Sequence, residues 1–281
     1  MAGMKPPTRD GYPPELAIEA RRMCLYVATI LGDLLDDIVV VGGLVPYLLV
    51  PQDELDVDHR HVGTRDLDLG LSLAVLDAER YQKISARLRA QGFSQSTNES
   101  GNPTRQTWKL KEERIQIDFL IPPVRENQRP SSLQNLERDF AAIVTPALPV
   151  AFLDQLDVSI DDVTPPGEKA ARVVRVCGPA AFVVLKAHAV RKRGDNKDAY
   201  DLVYMLEQYG DRPVEPVVAR FALIAQHPQA AEALRLLAED FEGPDSVGPM
   251  RRGAFLRNDD VNLRQDAVGL VGAFLRGVVR S

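Results

Sequence analysis

Cysteine is scarce in this chain: Cys24 and Cys177 are the two in 281 residues. They are too few for a disulfide scaffold and too far apart for a zinc site, so both are expected as reduced, partly buried thiols of a cytoplasmic protein. Aromatic residues amount to 6%, with Trp108 the single tryptophan. That leaves no evident platform for stacked bases and assigns Trp108 to packing. No apolar run approaches the ~18 uninterrupted residues of a membrane span. Residues 1–14 carry Lys5, Arg9 and several prolines where a signal peptide would carry an apolar stretch. A soluble chain with no membrane partner is therefore expected. Excess positive charge is also missing. The net charge is -6, so any contact with nucleic acid would need a local basic patch. There is no internal repeat and no low-complexity tract.

What remains is an ordinary globular composition, 45% hydrophobic and 26% charged, long enough for one large domain or two modest ones. Pro13 and Pro14 suit a helix start, and residues 15–31 keep an apolar spacing of three and four that Gly32 ends. Residues 37–41 form a β-branched run, read as a buried strand, and Gly42-Gly43 turns it into a helix over 44–50. Residues 65–73 alternate, with Leu67, Leu69, Leu71 and Leu73 on one face and Asp66 and Asp68 on the other, which predicts a strand. A helix over 78–91, closed by Gly92, precedes strands over 93–97, 104–110 and 114–121, the first two joined by a loop over 98–103. The order predicts a mixed sheet with helices on one side.

Residues 130–176 are less periodic. Within them 148–160 and 171–176 read as strands around a Pro165-Pro166-Gly167 turn. From Pro179 onward the pattern is helical, over 179–193, 196–209, 213–226, 228–241 and 261–279. The expected fold class is α+β: a mixed β-sheet domain flanked by helices over residues 1–177, then a helical carboxy-terminal domain over 178–281.

The chemistry gathers in the first half. Glycine at a strand-to-helix junction lets the backbone approach a ligand and adopt positive φ, and the N–H groups that follow favour an anion such as phosphate. By itself such a turn also serves as a purely structural device. Asp66 and Asp68, at i and i+2 of a strand, project from one face and are able to share divalent ions; alone, they read equally as a solvated strand face. Two magnesium ions ~3.5–4 Å apart would hold a nucleotide's phosphates and activate an attacking hydroxyl. Asp118 sits in an otherwise apolar strand, Ile115-Gln116-Ile117-Asp118-Phe119-Leu120, where a carboxylate needs a partner, a metal or an edge facing water.

Gly42-Gly43, then Asp66-x-Asp68, then a single aspartate on a later strand resembles the DNA polymerase β-like nucleotidyltransferase superfamily. The start Val-Val-Val-Gly42-Gly43-Leu and the run Thr64-Arg65-Asp66-Leu67-Asp68 are similar to its AbiEii/AbiGii toxin-like branch. Lys186, in Leu185-Lys186-Ala187-His188-Ala189-Val190-Arg191, is similar to that branch's lysine helix. Asn196-Lys197-Asp198-Ala199-Tyr200-Asp201-Leu202 is similar to its Lys/Arg-Asp-x-x-Asp-Leu motif. Two departures stand out: Val62 occupies a place where the family often carries arginine, and residues 52–61 are longer and more acidic than the family's.

The resemblance covers roughly residues 37–205 and implies a nucleotidyltransferase fold and activity. A nucleoside monophosphate would pass from a nucleoside triphosphate to an acceptor hydroxyl. Asp66, Asp68 and Asp118 would be the metal ligands, holding two Mg2+ ions, with Mn2+ as an alternative. Gly42, Gly43, Thr64, Arg65 and Lys186 would contact the nucleotide, and Lys186 and Asp198 would join the three aspartates as catalytic residues. The branch further implies tRNA or another RNA as acceptor and a cognate antitoxin as partner. A small-molecule acceptor of the aminoglycoside kind and a catalytically silent nucleotide-binding module are the alternatives.

The densest basic group, Lys186, Arg191, Lys192, Arg193 and Lys197, would guide a phosphate-bearing substrate; a helix end complementing its own dipole accounts for it as well. Asp58-His59-Arg60-His61 lacks metal-ligand spacing, and its place before the Asp66 strand suits substrate contact.

Overall fold

The computed structural model describes residues 5–72, 78–98 and 100–280. Leu73 of the expected strand, Glu99 of the expected loop and the first four residues lie outside them. The chain runs through helix α1 (Glu15–Leu31), strand β1 (Ile38–Val41), the short helix α2 (Val45–Leu49), β2 (Asp66–Leu71) and α3 (Ala78–Ala90). Then come β3 (Phe93–Thr97), β4 (Pro103–Leu110), β5 (Gln116–Ile121), β6 (Leu133–Glu137), β7 (Phe140–Val144), α4 (Pro149–Leu153), β8 (Gln155–Val163) and β9 (Lys169–Cys177). Six helices follow: α5 (Pro179–Arg193), α6 (Asn196–Gln208), α7 (Glu215–Phe221), α8 (Pro228–Asp240), α9 (Val247–Leu256) and α10 (Val261–Arg280).

Among the described residues the strands make one mixed sheet in the order β3-β4-β5-β2-β1-β9-β8. β7 joins the far half of β5, and β6 pairs with β7. β1 is antiparallel to β2, and β2 is parallel to β5.

Helices cover both faces of this sheet, where one covered side was expected. Cys24, Val27, Ala28 and Leu31 of α1 line a small cavity together with Val40, Leu69 and Val174 of the strands. On the opposite face Leu148, just before α4, packs against Gly70, and Phe182 and Leu185 of α5 face Val41 and Leu120 across a pocket. The reason lies in β1: all four of its apolar residues are buried, so both of its faces must be covered.

Three further corrections fall between residues 130 and 260. The expected strand over 148–160 splits into α4 and β8, because Pro149 starts a helical turn. Asp154 marks the break; its buried carboxylate accepts from the Ala181 N–H at 2.9 Å and from Arg220 Nε at 2.6 Å. The β6–β7 hairpin occupies a stretch the periodicity left unassigned. Helix α9 carries Gly248, Pro249 and Gly253, which mask its apolar spacing; Pro249 falls in the first turn, where a missing N–H leaves no helical bond unmade.

One apolar core runs from Leu16 of α1 to Phe274 of α10. Trp108 is fully buried, edge-on to Phe140 at a centroid distance of 5.8 Å. Cys24 and Cys177 are free, as expected, and more fully buried than their contexts suggested. Among the described residues no helix is long and apolar enough to cross a membrane.

Candidate active site

Register brings the carboxylates together. Asp68 of β2 sits directly opposite Asp118 of β5 in a parallel pairing, and Asp66 is opposite Gln116. Strand pleating sends Leu67, Leu69, Ile117 and Phe119 into the core and turns Asp66, Asp68 and Asp118 to the other face, with neighbouring strands ~4.8 Å apart. Thr107 of β4 is paired with Asp118, and its hydroxyl donates to Asp118 Oδ1 at 2.6 Å. Burial, followed by the charges of Asp68 and Asp66, pushes the Asp118 carboxyl up to about 7. Asp68 is raised as well, first by burial and then by Asp66, with Lys5 opposing. The cluster is thus short of positive charge. Lys5 supplies some: its Nζ lies 2.9 Å from Asp66 Oδ2.

Val41, at the end of β1, pairs with Asp68, so the chain leaves the sheet beside the carboxylates. Gly42 takes φ +75°, and a methyl group there would collide with the Asp68 carboxylate. At Gly43 an added Cβ would lie 2.7 Å from Thr64 Oγ1 and 3.3 Å from Lys197 Nζ. The turn, Thr64 and Lys197 therefore converge on one wall. The helix expected over 44–50 is a tight turn over Gly42–Leu44 followed by the five-residue α2. So short a helix has little macrodipole, and close backbone approach is what this turn offers a phosphate.

The rest of the pocket's charged lining comes from α5 and from α6, the helix that carries Lys197. Lys186 Nζ donates to Asp198 Oδ1 and to Asp201 Oδ2, each at 2.7 Å. Asp201 Oδ1 also accepts from Lys197 Nζ at 2.6 Å and bonds His61 Nε2 at 2.9 Å. The Gly63 N–H donates to His61 Nδ1 at 3.0 Å, so the ring proton sits on Nε2 and is donated to Asp201. Burial opposes the charge of Lys186, but Asp198 and then Asp201 overcome it and raise its pKa. Lys197 differs: burial outweighs Asp201, Lys186 repels it, and it falls to about 8. Asp198 Oδ2 is buried with no hydrogen-bond partner.

A single pocket is lined by Lys5, Gly42, Gly43, Thr64, Asp66, Asp68, Lys186, Lys197 and Asp198, among others. Asp118 adjoins it through the Asp68 register. Arg65 is exposed and does not line the pocket. Arg191, one of the expected basic group, turns away to Glu239 and Asp240 at 2.9 and 2.8 Å. His61, expected in substrate contact, is instead buried in the Asp201 network. Lys5 and Tyr12 carried no sequence signal. Lys197 did, inside the Lys-Asp-x-x-Asp run, and it lines the pocket beside Lys186, the residue expected at the phosphates. Among the described residues, no three His, Cys, Asp or Glu side chains already stand at metal-ligand spacing.

A family model described as nucleotidyltransferase matches residues 30–205, more than half of the chain and a span holding every sequence-predicted site residue. No curated protein matches the chain.

Proposed function

The chain belongs to the nucleotidyltransferase family, and from that premise we propose a metal-dependent transfer of a nucleoside monophosphate from a nucleoside triphosphate to an acceptor hydroxyl. The observation that carries this reading is the opposition of Asp68 and Asp118 in register, with Asp66 two residues along the same face. The donor set fits magnesium or manganese: all oxygen, crowded with like charge, and partly neutralised by the Lys5 ammonium. Magnesium is commonly held by one or two carboxylates with waters and substrate phosphates filling its remaining positions, so a complete protein cage is not required. Asp66 and Asp68 would hold two ions and Asp118 would share the one nearer the acceptor. When bound, such ions polarise the phosphoryl oxygens and favour the deprotonated acceptor hydroxyl.

The chain's own residues supply the rest. Gly42 and Gly43 let the triphosphate lie against the backbone, with Thr64 and Lys197 beside it. Lys186, already held by two carboxylates, adds fixed positive charge from α5. Asp118 is suited to receive the acceptor's proton, and Asp198 holds Lys186 in place. Catalysis of this kind rests on positioning and electrostatics, with no covalent enzyme intermediate.

For the acceptor, similarity to the AbiEii/AbiGii branch favours RNA, with tRNA foremost and an antitoxin as partner. A second cleft supports a phosphate-bearing acceptor. It shares Thr145, Leu185, Ala189 and Arg193 with the nucleotide pocket and adds Ser131 and Lys192. A small-molecule acceptor is favoured by a different observation: Lys186, Arg191 and Lys197 of the basic group are consumed in internal ion pairs.

The test is to incubate the protein with magnesium, each labelled nucleoside triphosphate in turn and total cellular RNA, with Asp66→Ala as control. Label entering an RNA band, and absent with the control, supports the reading and names nucleotide and acceptor together. Label reaching only a small molecule transfers the reading to that class. No transfer to any acceptor, from a folded protein that binds metal, favours a silent nucleotide-binding module.

A further inference from the structure

Lys5 approaches the carboxylate centre from a part of the chain that the matched family span does not include. Its ammonium lies 2.9 Å from Asp66 Oδ2 and shares a pocket wall with Asp68, Gly42 and Gly43. The segment that delivers it is tethered. Asn196 Nδ2 donates to the Pro7 carbonyl at 3.2 Å, and Arg257 Nη1 lies 2.6 Å from Asp10 Oδ2. Tyr12 is the firm anchor: it is buried, 5.7 Å from the Phe255 ring and 5.4 Å below the Lys197 ammonium.

We propose that residues 5–12 form a strap whose Lys5 ammonium competes with the divalent cation for Asp66, so that Lys5 must withdraw before the centre is loaded. This rests on Asp66 and Asp68 being cation ligands. Three features make the contact a competitor and not a fixed strut. Lysine is a compact point charge on a flexible stem, able to sit where a cation would and to leave without moving the backbone far. The Lys5 side chain is 39% exposed and the Arg257–Asp10 tether is more open still, so water and salt reach both contacts. The buried Tyr12 nevertheless keeps the ammonium close, which gives it a high effective concentration at the site. With the strap in place, the cluster of Asp66, Asp68 and Asp118 is partly neutralised without metal. With a divalent ion in place, the ammonium would face a second cation across one carboxylate.

The experiment is a Mn2+ titration of the metal-free 281-residue chain, following free Mn2+ by electron paramagnetic resonance, for wild type, Lys5→Ala, Arg257→Ala and Asp66→Ala. Lys5→Ala is expected to tighten Mn2+ binding about threefold to tenfold. Arg257→Ala keeps the ammonium but loosens the strap, and is expected to shift affinity in the same direction by less. Both differences narrow at high salt, as a competition between charges requires. Unchanged or weaker Mn2+ binding in Lys5→Ala, together with lost binding in Asp66→Ala, overturns the strap and leaves the metal reading standing. Binding in none of the four proteins overturns both.

Discussion

His61 Nε2 lies 2.9 Å from Asp201 Oδ1, and neither side chain is exposed to solvent. The pair ties the loop before β2 to helix α6, on the same Asp201 carboxylate that holds the pocket-lining Lys197. Burial holds the imidazole neutral, down at about 4, with the Lys197 charge acting the same way. The unfolded chain takes up this proton near the ordinary value of 6.5, and the folded chain near 4. Between those values the unfolded state carries more protons, so stability falls as pH drops through the window, by an amount on the order of 3 kcal/mol. Urea unfolding at pH 7 and pH 5 samples about 2 kcal/mol of it; in His61→Gln the loss over that interval should be visibly smaller than in wild type.

Asp118→Asn separates catalysis from stability. The amide keeps an acceptor for the Thr107 hydroxyl but no longer repels Asp68 across the β2–β5 register. Nucleotide transfer should drop about a hundredfold or more. The metal-free protein, melted in a chelating buffer, should gain a few degrees, roughly the effect of ~1 kcal/mol. A lower melting temperature in Asp118→Asn would contradict the crowding of like charge at this centre.

Lys186 is a structural member of the site as well as a charge. Replacing it with methionine strips Asp198 Oδ1 of its partner in a nearly buried part of the pocket lining. The expected cost is about 3–5 kcal/mol, the range for breaking a buried ion pair by removing one member. Adding Asp198→Asn to Lys186→Met should recover part of it, because the uncompensated charge is gone. Urea unfolding of both single variants and the double gives the coupling directly.

The two glycines should fail differently. Gly42→Ala forces a side chain into the left-handed region and into the Asp68 carboxylate, so it is expected to lose stability by about 1–3 kcal/mol and activity with it. Gly43→Ala meets the buried Thr64 at Oγ1 and Cβ and, less closely, Lys197 Nζ, without the left-handed backbone of Gly42. It should lower the melting temperature by less than Gly42→Ala does and raise KM for the nucleoside triphosphate more than it lowers kcat. Steady-state kinetics beside thermal melts distinguish the two.

Much of this site was legible before any coordinates. Alternation along residues 66–71 is a property of the pleat and put Asp66 and Asp68 on one face whatever strand lay beside them. An aspartate inside the apolar run of β5 announced itself by its cost. The β6–β7 hairpin and α9 were not legible: polar alternation in the one and glycines in the other blur the period on which such readings depend. Helices on both faces could have been inferred from β1, whose four apolar residues leave no side for water.

Alone, then, the amino-acid sequence determined the local matters: which residues share a strand face, where glycine permits a tight exit from β1, and where Lys186 falls on its helix. Tertiary structure decided who meets whom. Asp118 lies opposite Asp68 because β5 inserts beside β2, a choice made by packing of the whole sheet across some fifty residues of chain. Lys186 is committed to Asp198 and Asp201, Arg191 is drawn off to Asp240, and Lys5 reaches Asp66 from the far end of the chain. Periodicity is written in neighbouring residues and survives without a fold. Partners for buried charges are chosen only when the core closes and removes the water that would otherwise serve every one of them equally.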